Sequence, residues 1–187
     1  MHSWTFRLNA LFTFTVTVLA FLSALNALSV AFYKPVPVAT IENVKLNRLP
    51  GSGPKRPNAE ARVMFDMSAD LRSLFTWNTK LVFLYVTAEY STELNRLNQV
   101  VIWDYVIENV KDAQLTVGKS QTLLLPRHHN EYPLVDQGRG IRSSADNVTL
   151  YLNWCTMPVV GFISRQREGK TEFKFPETWE KLAAASK

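Results

Sequence analysis

The chain has 187 residues with 21 Lys and Arg against 16 Asp and Glu, a formal net charge of +5. That length fits one mid-sized soluble domain and excludes a large multidomain enzyme. The positive charge is diffuse, with no run of like charges and no basic stripe interleaved with aromatics, so nothing points to nucleic acid. A single cysteine, Cys155, leaves no partner for an intrachain disulfide.

The first element is set by where the charges are absent. From Leu8 to Tyr33 run 26 consecutive uncharged residues, more than the roughly 20 a helix needs to cross a bilayer. A cleavable signal peptide has a shorter apolar region of about 7–15 residues. Ser29-Val30-Ala31 does offer small residues at the two positions of a cleavage site, but the length favours an uncleaved signal anchor. A buried core helix would show a polar stripe at helical spacing, and this segment shows none. The α-amino group and Arg7 precede the helix without an acidic residue, which orients the N-terminus to the cytosol, although Lys34, Lys45, Arg48, Lys55 and Arg56 make the far flank basic too. The reading is therefore a short cytosolic N-terminus (1–7), a transmembrane signal-anchor helix (8–33) and a lumenal domain (34–187). Within the helix, Ala20 and Ala24 form one small-residue pair, and Ser23, Ala27 and Ala31 a second row. Small rows let another membrane helix approach, and Asn26 is placed to hydrogen-bond across such a contact.

Past the helix the signals are those of strands. Pro35 and Pro37 set an extended spacer leading into Val38 to Leu46, and the Pro/Gly-rich 49–58 segment reads as a surface loop. Val63, Phe65 and Met67 alternate with Met64, Asp66 and Ser68 as in a half-buried strand, and Leu71, Leu74 and Phe75 suggest one helical turn. Lys80 to Tyr90 is nearly continuously apolar and β-branched or aromatic, which predicts a central strand covered on both sides. Val100 to Ile107 resembles it. Weaker strands are predicted at Gln114 to Val117, Thr122 to Leu125, Val159 to Ser164 and Thr171 to Phe175. From Asn147 to Trp154, the apolar Val148, Leu150, Leu152 and Trp154 alternate with Asn147, Thr149, Tyr151 and Asn153. That pattern is a half-buried strand carrying an Asn-Val-Thr N-glycosylation acceptor, Asn147, on its wet face. Asn153-Trp154-Cys155 is a rarer acceptor form and is discounted. The fold class is a single N-terminal transmembrane α-helix followed by an all-β lumenal domain, an antiparallel β-sandwich.

The residues for catalysis do not assemble. No G-x-S-x-G elbow is present, and the histidines are His2, outside the domain, and the neighbouring His128-His129 in a polar turn. Cys155, placed just past a strand without a nearby histidine in sequence, reads as a small hydrophobe rather than a nucleophile. A lumenal glycosyltransferase would hold its metal and nucleotide with an Asp-x-Asp pair, which is missing. Gly138-Arg139-Gly140 lacks the third glycine and following helix of a dinucleotide loop. No cofactor, metal or small-molecule substrate is expected. Two association features remain, the small rows in the helix and an aromatic content, including Trp77, Tyr85, Tyr90, Trp103, Tyr105 and Trp154, that fills a core or forms an interface.

The run Ala69-Asp70-Leu71-Arg72-Ser73-Leu74-Phe75-Thr76-Trp77-Asn78-Thr79-Lys80, with Ala88-Glu89-Tyr90 and Asn95-Arg96-Leu97-Asn98-Gln99-Val100-Val101-Ile102-Trp103-Asp104, resembles the signal peptidase complex subunit 3 family. The likeness extends to Asn9-Ala10-Leu11-Phe12, Val135-Asp136-Gln137-Gly138, the acceptor strand Asn147 to Trp154, and Phe175-Pro176. It implies a type II protein of the endoplasmic reticulum membrane with a glycosylated lumenal sandwich. Its implied partners are the signal peptidase catalytic subunit, the other subunits of that complex and membrane lipid. The subunit implied is accessory and not the protease. The catalytic member carries a serine in a Ser-x-Met-x-Pro-like box, whereas Cys155-Thr156-Met157-Pro158 lacks that serine. A lumenal binding module for a carbohydrate or peptide, using exposed aromatics such as Trp77 and Trp103, is the alternative from a different class.

Overall fold

The computed structural model describes residues 3–48, 59–92, 95–117, 132, 134–136 and 147–174. The expected strand at Thr122 to Leu125, the His128-His129 pair and the Gly138 to Gly140 turn lie outside the described residues. The chain opens with α1 (Trp4–Ala31), about 42 Å long at 1.5 Å per residue and long and apolar enough to cross a membrane. It starts one turn before the uncharged run and stops short of Pro35, whose ring forces its predecessor out of helical conformation. The hydroxyls of Thr13, Thr15 and Thr17 donate to the carbonyls of Asn9, Leu11 and Thr13 at 2.8–2.9 Å. Each therefore arrives in an apolar setting already paired.

Two four-stranded antiparallel sheets follow. In the first, β1 (Val38–Arg48) pairs with β2 (Ala59–Asp70). The other edge of β2 is shared end to end by β5 (Gln114–Val117) and β6 (Leu134–Asp136). The second sheet has the order β4, β3, β7, β8, with β3 at Thr79–Tyr90, β4 at Asn98–Ile107, β7 at Val148–Pro158 and β8 at Ser164–Phe173. The side chains alternate as a half-buried sheet requires. Val63, Phe65, Met67 and Ala69 from β2 meet Val82, Leu84, Val86 and Ala88 from β3 and Val148, Leu150, Leu152 and Trp154 from β7 in one buried core. This is the β-sandwich expected from the strand spacing.

Several local expectations change. The helical turn at 71–75 is a single 3₁₀ turn, Arg72–Leu74. Strand β3 is central, but it is buried on one face only, since Leu81, Phe83 and Tyr85 on the other are half-exposed. Cys155 lies inside β7 rather than past its end. Val159 to Ser164 is not a strand, because Pro158 supplies no backbone donor and Gly161 turns the chain with φ +116°. The last strand is β8, which starts at Ser164 and takes in the start of the strand expected at Thr171 to Phe175. Its polar sequence lacks apolar alternation because it is an exposed edge.

Gly169 is the extra residue of a bulge in β8 opposite Tyr151 and Leu152. Its φ is +70°, and a Cβ there would stand 3.2 Å from the Ala39 carbonyl oxygen of β1. Beside it the Thr171 hydroxyl donates to the Ile41 carbonyl, so this bulge closes one side of the sandwich. Gly169→Ala is expected to cost about 1–3 kcal/mol through left-handed backbone strain, read as a lowered unfolding midpoint of the full chain in detergent; an unchanged midpoint would contradict the strain.

Candidate functional site

A set of paired polar side chains converges where the helix meets the sandwich. Leu74, at the end of the 3₁₀ turn, is buried, and the next four residues must reverse direction before β3 begins at Thr79. The Thr79 hydroxyl holds that reversal by donating to the Leu74 carbonyl at 2.9 Å and accepting the Thr76 amide at 3.1 Å. Asn78 is thereby thrust inward, 2% exposed.

A buried primary amide is stable only when its donors and acceptor are paired. The Asn78 side-chain Oδ1 accepts from the Val160 amide at 3.1 Å and from Nδ2 of Asn26 at 3.0 Å, and its Nδ2 donates to the Val160 carbonyl at 2.7 Å. The Asn78 main-chain carbonyl takes the Val159 amide at 2.7 Å. One side chain thus joins three segments: α1, the turn before β3 and the loop between β7 and β8. Next to it the Trp77 indole donates to the Ser29 hydroxyl at 3.1 Å, and Ser29 donates to the Asn26 carbonyl. Gly161 faces Ala27, to which an added Cβ would come within 3.5 Å. The half-open cleft there, about 400 Å³, is lined by residues including Ala27, Val30, Leu74, Thr156, Val160 and Phe162.

The expected packing residues divide across this junction. Ser23, Asn26 and Ala27 are half-buried, along with Val30 one turn further on, which is one helix face at i, i+3, i+4 and i+7. Ala20, Ala24 and Ala31 are exposed. Asn26 finds its hydrogen-bond partner within its own chain. Sequence reasoning singled out Asn26 but not Asn78, because a 52-residue separation leaves no local signal.

The acceptor Asn147 is exposed immediately before β7, while the other end of that strand, Pro158, enters the junction. Eleven extended residues span about 36 Å, so Asn147 sits at the end of the sandwich remote from α1. The aromatics do not make one platform. Trp154 is in the core, Trp103 stacks on Tyr105 with ring centroids 6.1 Å apart and packs against the core, and Trp77 is 67% exposed at the junction. On the outer face of the second sheet Phe83 and Tyr85 stack at 5.5 Å. The Arg167 guanidinium lies 4.7 Å over the Tyr151 ring and pairs with Glu89 at 3.2 Å. Burial pushes the Tyr85 phenol above its ordinary range, and the neighbouring Cys155 thiol adds to the shift while Arg165 opposes it. Cys155 is itself buried between strands.

A protein-family model described as "Signal peptidase subunit" matches residues 1–178. Signal peptidase complex subunit 3 of Dictyostelium discoideum is 36% identical over 184 residues, which is 98% of this chain and 99% of the relative. The protein of the same name from Gallus gallus is 36% identical, covering 96% and 97%, and that from Homo sapiens is 34% identical with the same coverage.

Proposed function

The chain belongs to the signal peptidase subunit family, and from that premise we propose that it is a non-catalytic accessory subunit of the signal peptidase complex, which removes signal peptides from nascent secretory and membrane proteins during translocation into the endoplasmic reticulum. The observation that carries the reading is the match along nearly the whole length, helix and sandwich together. In this role the helix is a signal anchor with its N-terminus in the cytosol, and residues 34–187 form the lumenal part. The subunit contributes position, since holding a catalytic partner at a fixed height over the bilayer lowers the barrier without chemistry of its own. The serine-protease chemistry belongs to the catalytic subunit. Cys155 stands at the start of the stretch nearest to that subunit's serine box, and its burial within β7 supports a packing role. Placement of Asn147 at the far end of the sandwich supports its use as a glycan acceptor, because the glycan would extend away from the helix.

In the membrane, the exposed pair Ala20 and Ala24 is the face left for a neighbouring helix once Asn26 and Ala27 have turned toward their own domain. A mild-detergent pull-down of the full chain from membranes is expected to recover a signal peptidase catalytic subunit. Recovery should fall when Ala20→Leu and Ala24→Leu are combined, and the endoglycosidase-sensitive mobility shift should vanish with Asn147→Gln. Isolation of the chain without a catalytic subunit would overturn the accessory role.

A further inference from the structure

The loop Met157-Pro158-Val159-Val160-Gly161-Phe162-Ile163 carries no charged side chain and no side-chain hydrogen-bonding group. Phe162 is 98% exposed, Val159 65% and Ile163 55%. Loops that face water are polar, and a contiguous exposed apolar tip marks a contact surface. The hydrogen bonds fix where this tip lies. Val160 is bonded through Asn78 to Asn26, and Trp77 is bonded to Ser29, so both loops are held alongside the helix rather than beyond its end. Asn26 lies 19 residues after Arg7, about 28 Å along the axis, which is close to the roughly 30 Å thickness of the hydrocarbon core. With Arg7 at one boundary, the loop tip is at the other. The first charges after the two loops, Lys80 after Trp77 and Arg165 after Ile163, are the second residues of β3 and β8 and so belong to the sandwich. An exposed tryptophan beside the helix end suits the same interfacial layer.

We propose that the 157–163 loop, with Phe162 at its tip and Trp77 beside it, is a second membrane contact that dips into the leaflet on the domain's side, so that the sandwich stands on the bilayer through both helix and loop. The occupant is lipid, because the loop continues an apolar surface that the helix already presents at that depth. The inference rests on the reading of α1 as a membrane anchor. An interfacial insertion of roughly 5–10 Å is within reach of a phenylalanine and an isoleucine at the tip.

The test uses the full chain in its purified complex, reconstituted into phosphatidylcholine vesicles, with Cys155→Ala as background. An environment-sensitive fluorophore is attached at Phe162→Cys, Val159→Cys, Leu97→Cys or Leu19→Cys, and the lipids carry a nitroxide quencher at shallow or deep positions. Phe162 and Val159 are exposed, so their replacement spares the core. The expected result is a blue-shifted emission at positions 162 and 159, quenched more by the shallow than by the deep nitroxide. Position 97, in the turn at the opposite end of β3, should remain water-like and unquenched. Water-like emission at 162 and 159, or shielding without lipid quenching as a protein cover would give, overturns the inference while deep quenching at 19 leaves the anchor reading standing. Absence of quenching at 19 as well overturns both.

Discussion

Asn78→Ala is expected to loosen the sandwich from its helix while leaving the sandwich folded. The substitution strips the Val160 amide, the Val160 carbonyl and the Asn26 side chain of their partners at once. Each buried group left unpaired costs about 1–3 kcal/mol, and relaxation with partial access of water brings the total to roughly 2–4 kcal/mol. The effect is local, because the Thr76–Thr79 knot that shapes the turn does not depend on the amide. Hydrogen exchange at the Val160 amide should therefore accelerate by roughly 30- to 700-fold, tenfold for each 1.4 kcal/mol, with the β3 and β7 core amides unchanged. Asn26→Ala removes a single bond and should act in the same direction with a smaller magnitude. Equal exchange at Val160 in wild type and Asn78→Ala would mean that the junction is held by apolar contacts instead.

The second large effect is expected in the core. Leu84 is fully buried at the middle of the second sheet, with Trp154 opposite it on β7 and Tyr105 on β4. Leu84→Ala removes three carbons from a close-packed interior and leaves a cavity between two sheets that cannot collapse without moving a strand, a loss of about 2–5 kcal/mol. Since domains are stable by only about 5–15 kcal/mol, this is a large share. Tryptophan emission, to which buried Trp154 contributes, should report a lower denaturant midpoint with an unchanged slope. A change below about 1 kcal/mol would place the site outside the cooperative core. The functional consequence is loss of assembled complex rather than altered cleavage by whatever complex remains.

The sandwich was readable where burial leaves a period in the sequence. Val148, Leu150, Leu152 and Trp154 alternate because one face of β7 is core, and the same rule located β2, whereas β3 was found from its nearly continuous apolar run. It was weakest at β8, where Ser164 to Phe173 is a strand by pairing to β7 and not by its own apolar pattern: the expected Thr171 to Phe175 met only its end, and the apolar Val159 to Ile163 suggested a strand where the chain forms a loop. Chemistry at the junction was less legible than the fold. Asn26 stood out as a polar residue in an apolar helix. Its partner Asn78 looked like an ordinary turn residue, and the link between them exists only because the chain runs out along β1 and returns along β2 to reach the helix again. The β-branched and aromatic side chains of the 159–163 loop gave a strand-like signal for a reason unrelated to strands.

The threonines of α1 have a consequence for how the subunit lives among others. Because Thr13, Thr15 and Thr17 give their hydroxyl protons to their own helix, and Asn26 is committed to Asn78, none of these groups must be torn from a neighbour when the helix separates from one. In the proposed membrane placement, lateral contacts then rest on shape at residues such as Ala20 and Ala24 and are exchangeable, while the directional bonds run vertically, from helix to sandwich within a single chain.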